Sequence, residues 1–526
     1  MRLRDSGASA ISGAATSFAL ASLLATFATG ACSSEAISPE LHGSGTSSTE
    51  STPTDGGPLA EEASAPAPAK QPVPGLHAEY FDDYHDKTVE RVEPNLDHDW
   101  KADAPAPGIS KDRFSARWTG TLTPAVTGKT TITIDGDDGT RVWIDGKLVI
   151  DDWRAHFVER HSAEVELTKD VPVSIRVDYF EIDREASLRL SWSAGAALPE
   201  QVIPGDRFTT TNEPSGLPGP KPPFTNPVIP FDCPDPGVLA ASGKFYAACT
   251  GGSFPIRSSR DLVTWKNVPG AAILPAGKPA WAANGGRNWA PEIHGVGNGF
   301  LAYYTSVNRA NVLSIGVASA PAPTGPWTDK GSPPVENADG VIDATFFEDD
   351  DGSRWLFYKI DGNAKGKPTP IFVRKLSADG LSFGAGSAQT QVLTNDTGTW
   401  EGGVVEAPWV VKRDGRYYMF YSGNVYDHRY RTGVARAKSI TGPWEKKGPP
   451  ILENNGSWVG PGHGSVVRVN DSDYFLYHAW KNAGNGTAAP GGRMVLADKI
   501  TWKNGWPSIA NGSPSTTPHP YPGEPF

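Results

Sequence analysis

Cysteine is almost missing from this 526-residue chain, with three residues, of which Cys32 lies near the start. That excludes a disulfide framework and leaves room for one bridge, between Cys233 and Cys249. Basic charge is also short. Against 59 Asp and Glu stand 48 Lys and Arg, and a formal charge of −11 excludes nucleic acid and anionic membrane surfaces as partners. It says nothing against a neutral polysaccharide. Long hydrophobic runs are absent too: the apolar stretch at 18–28 is too short to cross a bilayer, and no later segment qualifies. What the chain has in quantity is tryptophan, 17 residues whose flat apolar faces and polar edges suit sugar-facing surfaces.

Composition divides the chain into five parts. Residues 1–32 form an export signal, with Arg2 and Arg4 ahead of the apolar stretch and small residues leading to Cys32. The TGAC ending resembles a bacterial lipoprotein signal, in which Cys32 is lipidated after cleavage, although Thr29 stands where Leu is usual. Ordinary secretion is the alternative. Either way the protein is expected to be exported, extracellular or held at the cell surface or outer membrane of a bacterium. Residues 33–71, rich in Ser, Thr, Pro, Ala and Gly, read as a disordered tether. Residues 72–205 read as a β-rich module, 206–225 as a Pro-rich linker, and 226–526 as a β-propeller.

The propeller rests on a repeat. Asp235, Glu292, Asp343, Glu406 and His463 recur at intervals of 57, 51, 63 and 57. Each precedes a short apolar run, a turn and an aromatic strand (SGKFYAACT, GNGFLAYYTS, DGSRWLFYK, DGRYYMFYSG, DSDYFLYHAW). Trp265, Trp327, Phe383, Trp444 and Trp502 form a further series in phase, at 62, 56, 61 and 58. Three series of one period predict five blades, each bringing a polar residue to a shared channel. Carboxylates gathered in a confined space repel one another, so such an array implies chemistry. The expected class is all-β: an antiparallel β-sandwich followed by a five-bladed propeller.

In the N-terminal module, strands such as KTTITI, TRVWI and VSIRVDYF alternate with period two. GLHAEYF, FSARWTGTLTP, DGDDGTRVWIDGKLVIDDW and YFEIDREASLRLSW, in that order, resemble the protective-antigen-type carbohydrate-binding domain. In adhesin members two adjacent Asp joined by a cis peptide hold calcium, and Asp137 and Asp138 stand at the matching position. The plainer alternative is that they cap a hairpin.

The blocks NPVIPFDCPDPGV, RNWAPEIH, DGVIDATFFED, EGGVVEAPWV, GPGHGSVV and ITWKNGWP resemble glycoside hydrolase family 43 over nearly the whole propeller. The resemblance implies an inverting glycosidase that requires no cofactor for catalysis. It implies Asp235 as general base, Asp343 as the residue that tunes the acid and orients substrate, and Glu406 as general acid. Inversion asks one carboxylate to activate water and a carboxylic acid to protonate the leaving oxygen across the sugar. Glu406 is therefore expected to have a raised pKa and Asp235 to stay ionised. Substrate contacts are expected at Trp289, Glu292, Trp400, His463 and Arg493, with core packing as the alternative for both tryptophans, Glu292 and His463. Arabinan-cleaving members place the matching histidine near a calcium ion or its waters, so calcium is expected near His463. The GPGHG motif resembles arabinan-active members, so arabinan or arabinoxylan is the expected polysaccharide substrate. β-Xylosidase action on xylan fragments is the enzymatic alternative, and a non-catalytic sugar-binding or adhesion protein is the alternative from another class. For Cys233 and Cys249, a disulfide and two buried thiols both fit.

Overall fold

The computed structural model describes residues 70–283 and 287–522. The export segment, Cys32 and nearly all of the tether lie outside the described residues.

The first unit is an antiparallel β-sandwich. One sheet runs Val73–Pro74, Phe208–Thr210, Phe114–Leu122, Val173–Glu181, Thr140–Ile144, Lys147–Asp152, with Leu76–Asp82 and Asp86–Glu93 added beside Phe114–Leu122. The other is built on Gly128–Asp137 and Ala186–Ser193, with Glu159–Leu167 at one edge. Glu159–Leu167 alternates between half-buried and exposed positions, as a strand with one wet face does. The inner faces meet on a core containing Trp118, Trp192, Tyr179 and Phe114.

The propeller follows as five four-stranded antiparallel sheets, each made of four consecutive strands. The innermost strands are Gly237–Ala241, Trp289–Val296, Val341–Glu348, Val405–Arg413 and Trp458–Val469. Each touches the next around the ring, and the fifth touches the first. Closure is reinforced by the entry segment: Ile229 bridges Val495, and Phe224 bridges His519. The hairpins behave as their sequences require. Ser242-Gly243 and Asp414-Gly415 have positive φ at both central positions, the condition for a two-residue turn that matches strand twist.

The sandwich docks on blade one. His85 Nε2 meets Asp261 Oδ2 at 2.8 Å, Arg260 pairs with Asp86 at 2.6 Å and Lys266 with Asp83 at 3.1 Å. Cys233 and Cys249 are disulfide-bonded, with Cα atoms 5.2 Å apart. The bridge ties the segment that ends in Asp235 to the strand that ends beside Thr250. It closes a loop of 16 residues, so Cys233→Ala with Cys249→Ala is expected to lower stability by about 3 kcal/mol. Urea unfolding checks this as a lower midpoint.

Candidate active site

A bulge sets the channel residue in four of the five blades. In blades two to five the inner strand carries one more residue than its neighbour at a fixed place, between Trp289/Glu292, Ile342/Thr345, Glu406/Trp409 and Gly462/Ser465. Two residues facing one bend the strand and re-aim a side chain. Ala290, Asp343, Ala407 and His463 occupy these four sites, and Asp235 stands just ahead of the inner strand of blade one; all five lie in the left-handed region with φ between 43° and 56°. That backbone costs an L-residue about 1–2 kcal/mol. The ring position in blade two is therefore Ala290, not Glu292, and Glu406 reaches the channel from one residue before Ala407.

Asp235, Asp343, Glu406, His463, Arg493 and Trp289 line one cavity of about 230 Å³, with the exposed Tyr426 at its mouth. Two expected contacts are placed elsewhere. Glu292 is buried and bonds His294 Nε2 at 2.9 Å. The His294 ring lies 5.6 Å from Trp409 and 5.4 Å from Phe346. Blades two and four are not neighbours, so this contact passes in front of the inner strand of blade three. Glu292 belongs to that contact. Trp400 packs over Gly423 and Gly433, where an added Cβ would lie 2.5 Å from its ring, and its Nε1 donates to Gly448 O at 2.7 Å. The missing side chains at those glycines draw the indole into blade four and away from the sugar.

A second ring of polar residues lies beneath the first. Each second strand ends its aromatic run with one: Thr250, Thr305, Lys359, Ser422 and His478, at intervals of 55, 54, 63 and 56. The last four face the residue just before the bulge. Their partners are the channel groups. Thr250 Oγ1 donates to Asp235 Oδ2 at 2.6 Å. Lys359 Nζ donates to Glu406 Oε2 at 2.8 Å and to Asp361 Oδ1 at 2.9 Å. Ser422 Oγ accepts the His463 N–H at 2.9 Å, and His478 Nδ1 accepts the Asp235 N–H at 3.2 Å. Thr305, in the blade whose channel residue is Ala290, finds no partner for its hydroxyl among the described residues. Tyr430 completes the shell by donating to Glu406 Oε1 at 2.8 Å.

The two sides of the cavity differ in charge. Burial opposes ionisation of Asp235, but Arg493 Nη1 at 2.9 Å and the His463 ring at 3.2 Å outweigh it and hold the carboxyl well below the usual range. Across the cavity, burial and the nearby Glu406 push Asp343 up to about 7 against the pull of His463. Asp343 Oδ2 accepts the Ala407 N–H at 3.0 Å. Burial would raise Glu406 too, but Lys359 and Tyr430 overcome it, and its pKa is lowered. The expectation of a raised Glu406 is thus corrected: Lys359 and Tyr430 lower it, and Asp343 is the raised member of the coupled pair. His463, despite burial, is raised to about 9 by Asp235 and Asp343. Imidazole is not a favoured calcium ligand, and among the described residues no group of three candidate ligand atoms gathers at His463. Among the described residues, the three groups that gather ligand atoms all lie in the N-terminal unit.

One of those groups is Asp137, Asp138 and Glu181, with ligand oxygens within 4.8 Å of one another. The Asp137–Asp138 peptide is cis. Asp138 accepts the N–H groups of His156 and Ile182 at 2.8 and 2.9 Å. Burial and then Asp138 push Asp137 to about 6 and Glu181 to about 9. Buried carboxyls that repel one another suit a hard cation, so these residues fit calcium.

Comparison with known proteins agrees with this division. Residues 72–204 match the PA14 domain, a protective-antigen-type carbohydrate-binding domain. The chain is 33% identical over 142 residues to the anti-sigma-I factor RsgI3 of Acetivibrio thermocellus, covering 27% of this chain but only 22% of that protein. It is 28% identical over 308 residues to the extracellular exo-alpha-(1->5)-L-arabinofuranosidase ArbA of Cellvibrio japonicus, covering 53% of this chain and 86% of that protein. The crystal structure of a thermostable family-43 glycoside hydrolase superposes with a TM-score of 0.51 at 28% identity, covering 57% of this chain and 99% of that one. Family 43 enzymes need no cofactor for catalysis. The model of glycosyl hydrolases family 43 matches residues 224–507, more than half of the chain, and this protein belongs to that family.

Proposed function

We propose that this protein is an exported, inverting glycosidase acting on arabinofuranosyl linkages of arabinan or arabinoxylan. Asp235 is the general base, Glu406 the general acid, and Asp343 the group that shares the acid's proton. One observation carries the reading: a single small cavity is lined by Asp235, which Arg493 keeps ionised, and by a coupled pair of carboxyls, Asp343 and Glu406, of which burial pushes Asp343 up. That is the division of labour inversion needs. Trp289 and Tyr426 offer flat faces at the mouth. In the N-terminal unit, Asp137, Asp138 and Glu181 are the residues that would hold calcium, offering sugar hydroxyls a Lewis-acidic contact.

A substrate panel tests this. Nitrophenyl α-L-arabinofuranoside is expected to be hydrolysed with kcat/KM at least about tenfold above nitrophenyl β-D-xyloside, the scale of discrimination one pocket contact provides. Proton NMR should show the inverted anomer first. The reverse ratio would make it a β-xylosidase. No release from either substrate or from linear arabinan, with polysaccharide binding intact, would make it an adhesion protein.

A further inference from the structure

The N-terminal unit holds a second cluster whose chemistry differs from the acidic turn. Asp152 ends the strand Lys147–Asp152 of one sheet, His161 lies on Glu159–Leu167 of the other, and His156 sits on the loop between them. Asp152 Oδ2 is 2.6 Å from His156 Nε2 and 2.8 Å from His161 Nε2. The Asp152 and His156 side chains are only 6% and 5% exposed. All three atoms are buried, and none makes a hydrogen bond. At such short separations this is a directional failure: a hydrogen on either ring nitrogen would point to one side of the carboxylate oxygen. Two ligands of one tetrahedral ion also aim past each other at a third point, about 2.0–2.2 Å from each and about 3.3–3.5 Å apart, so an ion here would spread these contacts.

The surroundings are arranged to match. His156 Nδ1 faces the Phe157 carbonyl, which fixes its hydrogen there and leaves Nε2 with a bare lone pair. That lone pair lies beside a carboxylate oxygen, which is repulsive unless a cation sits between them. The other Asp152 oxygen is taken by Arg154 Nε at 2.9 Å, so Oδ2 is the free donor. His161 is 32% exposed, which leaves a path for an ion and a position for water.

The geometry points to a Zn²⁺-type site at Asp152, His156 and His161. Two imidazoles and one carboxylate are a donor set for zinc rather than for calcium. Its role would be structural: one ion would join both sheets to the 153–158 loop. That loop exposes Phe157 and Val158, at 71% and 60%, and donates the His156 N–H to Asp138. The ion would thus fix the loop beside the acidic turn.

Full-length protein stripped with a chelator is titrated with ZnCl₂ alone, and metal content is measured after desalting. The expected result is one Zn²⁺ per chain and a raised Tm. His161→Ala, a change at a half-exposed position, should weaken binding by more than about tenfold and abolish the Tm shift. Asp137→Asn should leave Zn²⁺ uptake unchanged, separating this site from the acidic turn. Failure to retain stoichiometric Zn²⁺, or uptake undiminished in both His161→Ala and His156→Gln, would overturn the assignment.

Discussion

Glu406→Gln is expected to lower kcat/KM by about 10²–10⁴-fold on natural linkages, with KM nearly unchanged and a much smaller loss on nitrophenyl glycosides. The amide keeps the size of the side chain and can still face Tyr430. What it cannot do is deliver a proton to the leaving oxygen, and a good leaving group departs without one. Equal losses across leaving groups would remove Glu406 from the acid role. The pH profile is a second, independent readout, since kcat/KM reports the free protein. Asp343 is raised to about 7, so wild-type kcat/KM should fall as pH rises through about 7. Asp235 stays ionised well below the usual carboxylate range, so the acid limb should lie far lower. In the glutamine variant the Glu406 charge that helps raise Asp343 is gone, and the limb near 7 should disappear. Its survival would mean that the titrating proton lies elsewhere.

Five blades were readable because three series stayed in phase, each tied to a different strand. Asp235, Asp343 and His463 were readable as ring members because each holds the same place, just ahead of the apolar run of its blade. Glu292 was not, because equal spacing cannot locate a bulge. One inserted residue reverses which side chain faces the channel, and Ala290 carries no chemical label. The same blindness hid the lowering of Glu406, since Lys359 lies far from Glu406 in sequence. Lys359 was nevertheless on view: LFYK, MFYS and FLYH each end an aromatic run on a polar residue, and the repeat of that ending is the signal for a second ring. Trp400 was misplaced because only three dimensions bring Gly423 and Gly433 under its indole. The Asp152, His156 and His161 cluster went unread because its members sit on two strands and a loop, where no helical or strand period aligns them.

The sharpest test of the second ring is Lys359→Met. Lys359 has no exposed side-chain surface and donates to both Glu406 and Asp361. Methionine fills similar volume and leaves two carboxylates without a buried countercharge, a loss on the order of 3–5 kcal/mol for breaking a buried pair. The loss should depend on pH. Without the ammonium, burial dominates and the folded pKa of Glu406 rises. A carboxyl raised above its unfolded value penalises folding at pH above that raised pKa, and the penalty fades as pH falls below it. Urea midpoints should therefore drop more at pH 8 than at pH 5. The ammonium also lowers Asp343, so its removal should carry the alkaline limb of kcat/KM above 7. A lysine that only filled space would produce neither effect: the destabilisation would be the same at both pH values, and the limb would stay near 7. Lys359→Arg, which keeps the charge, should restore the limb even where its larger head disturbs packing. Movement of the limb with charge and not with volume would identify Lys359 as the positioning residue whose charge sets the pH at which the Asp343 and Glu406 pair titrates.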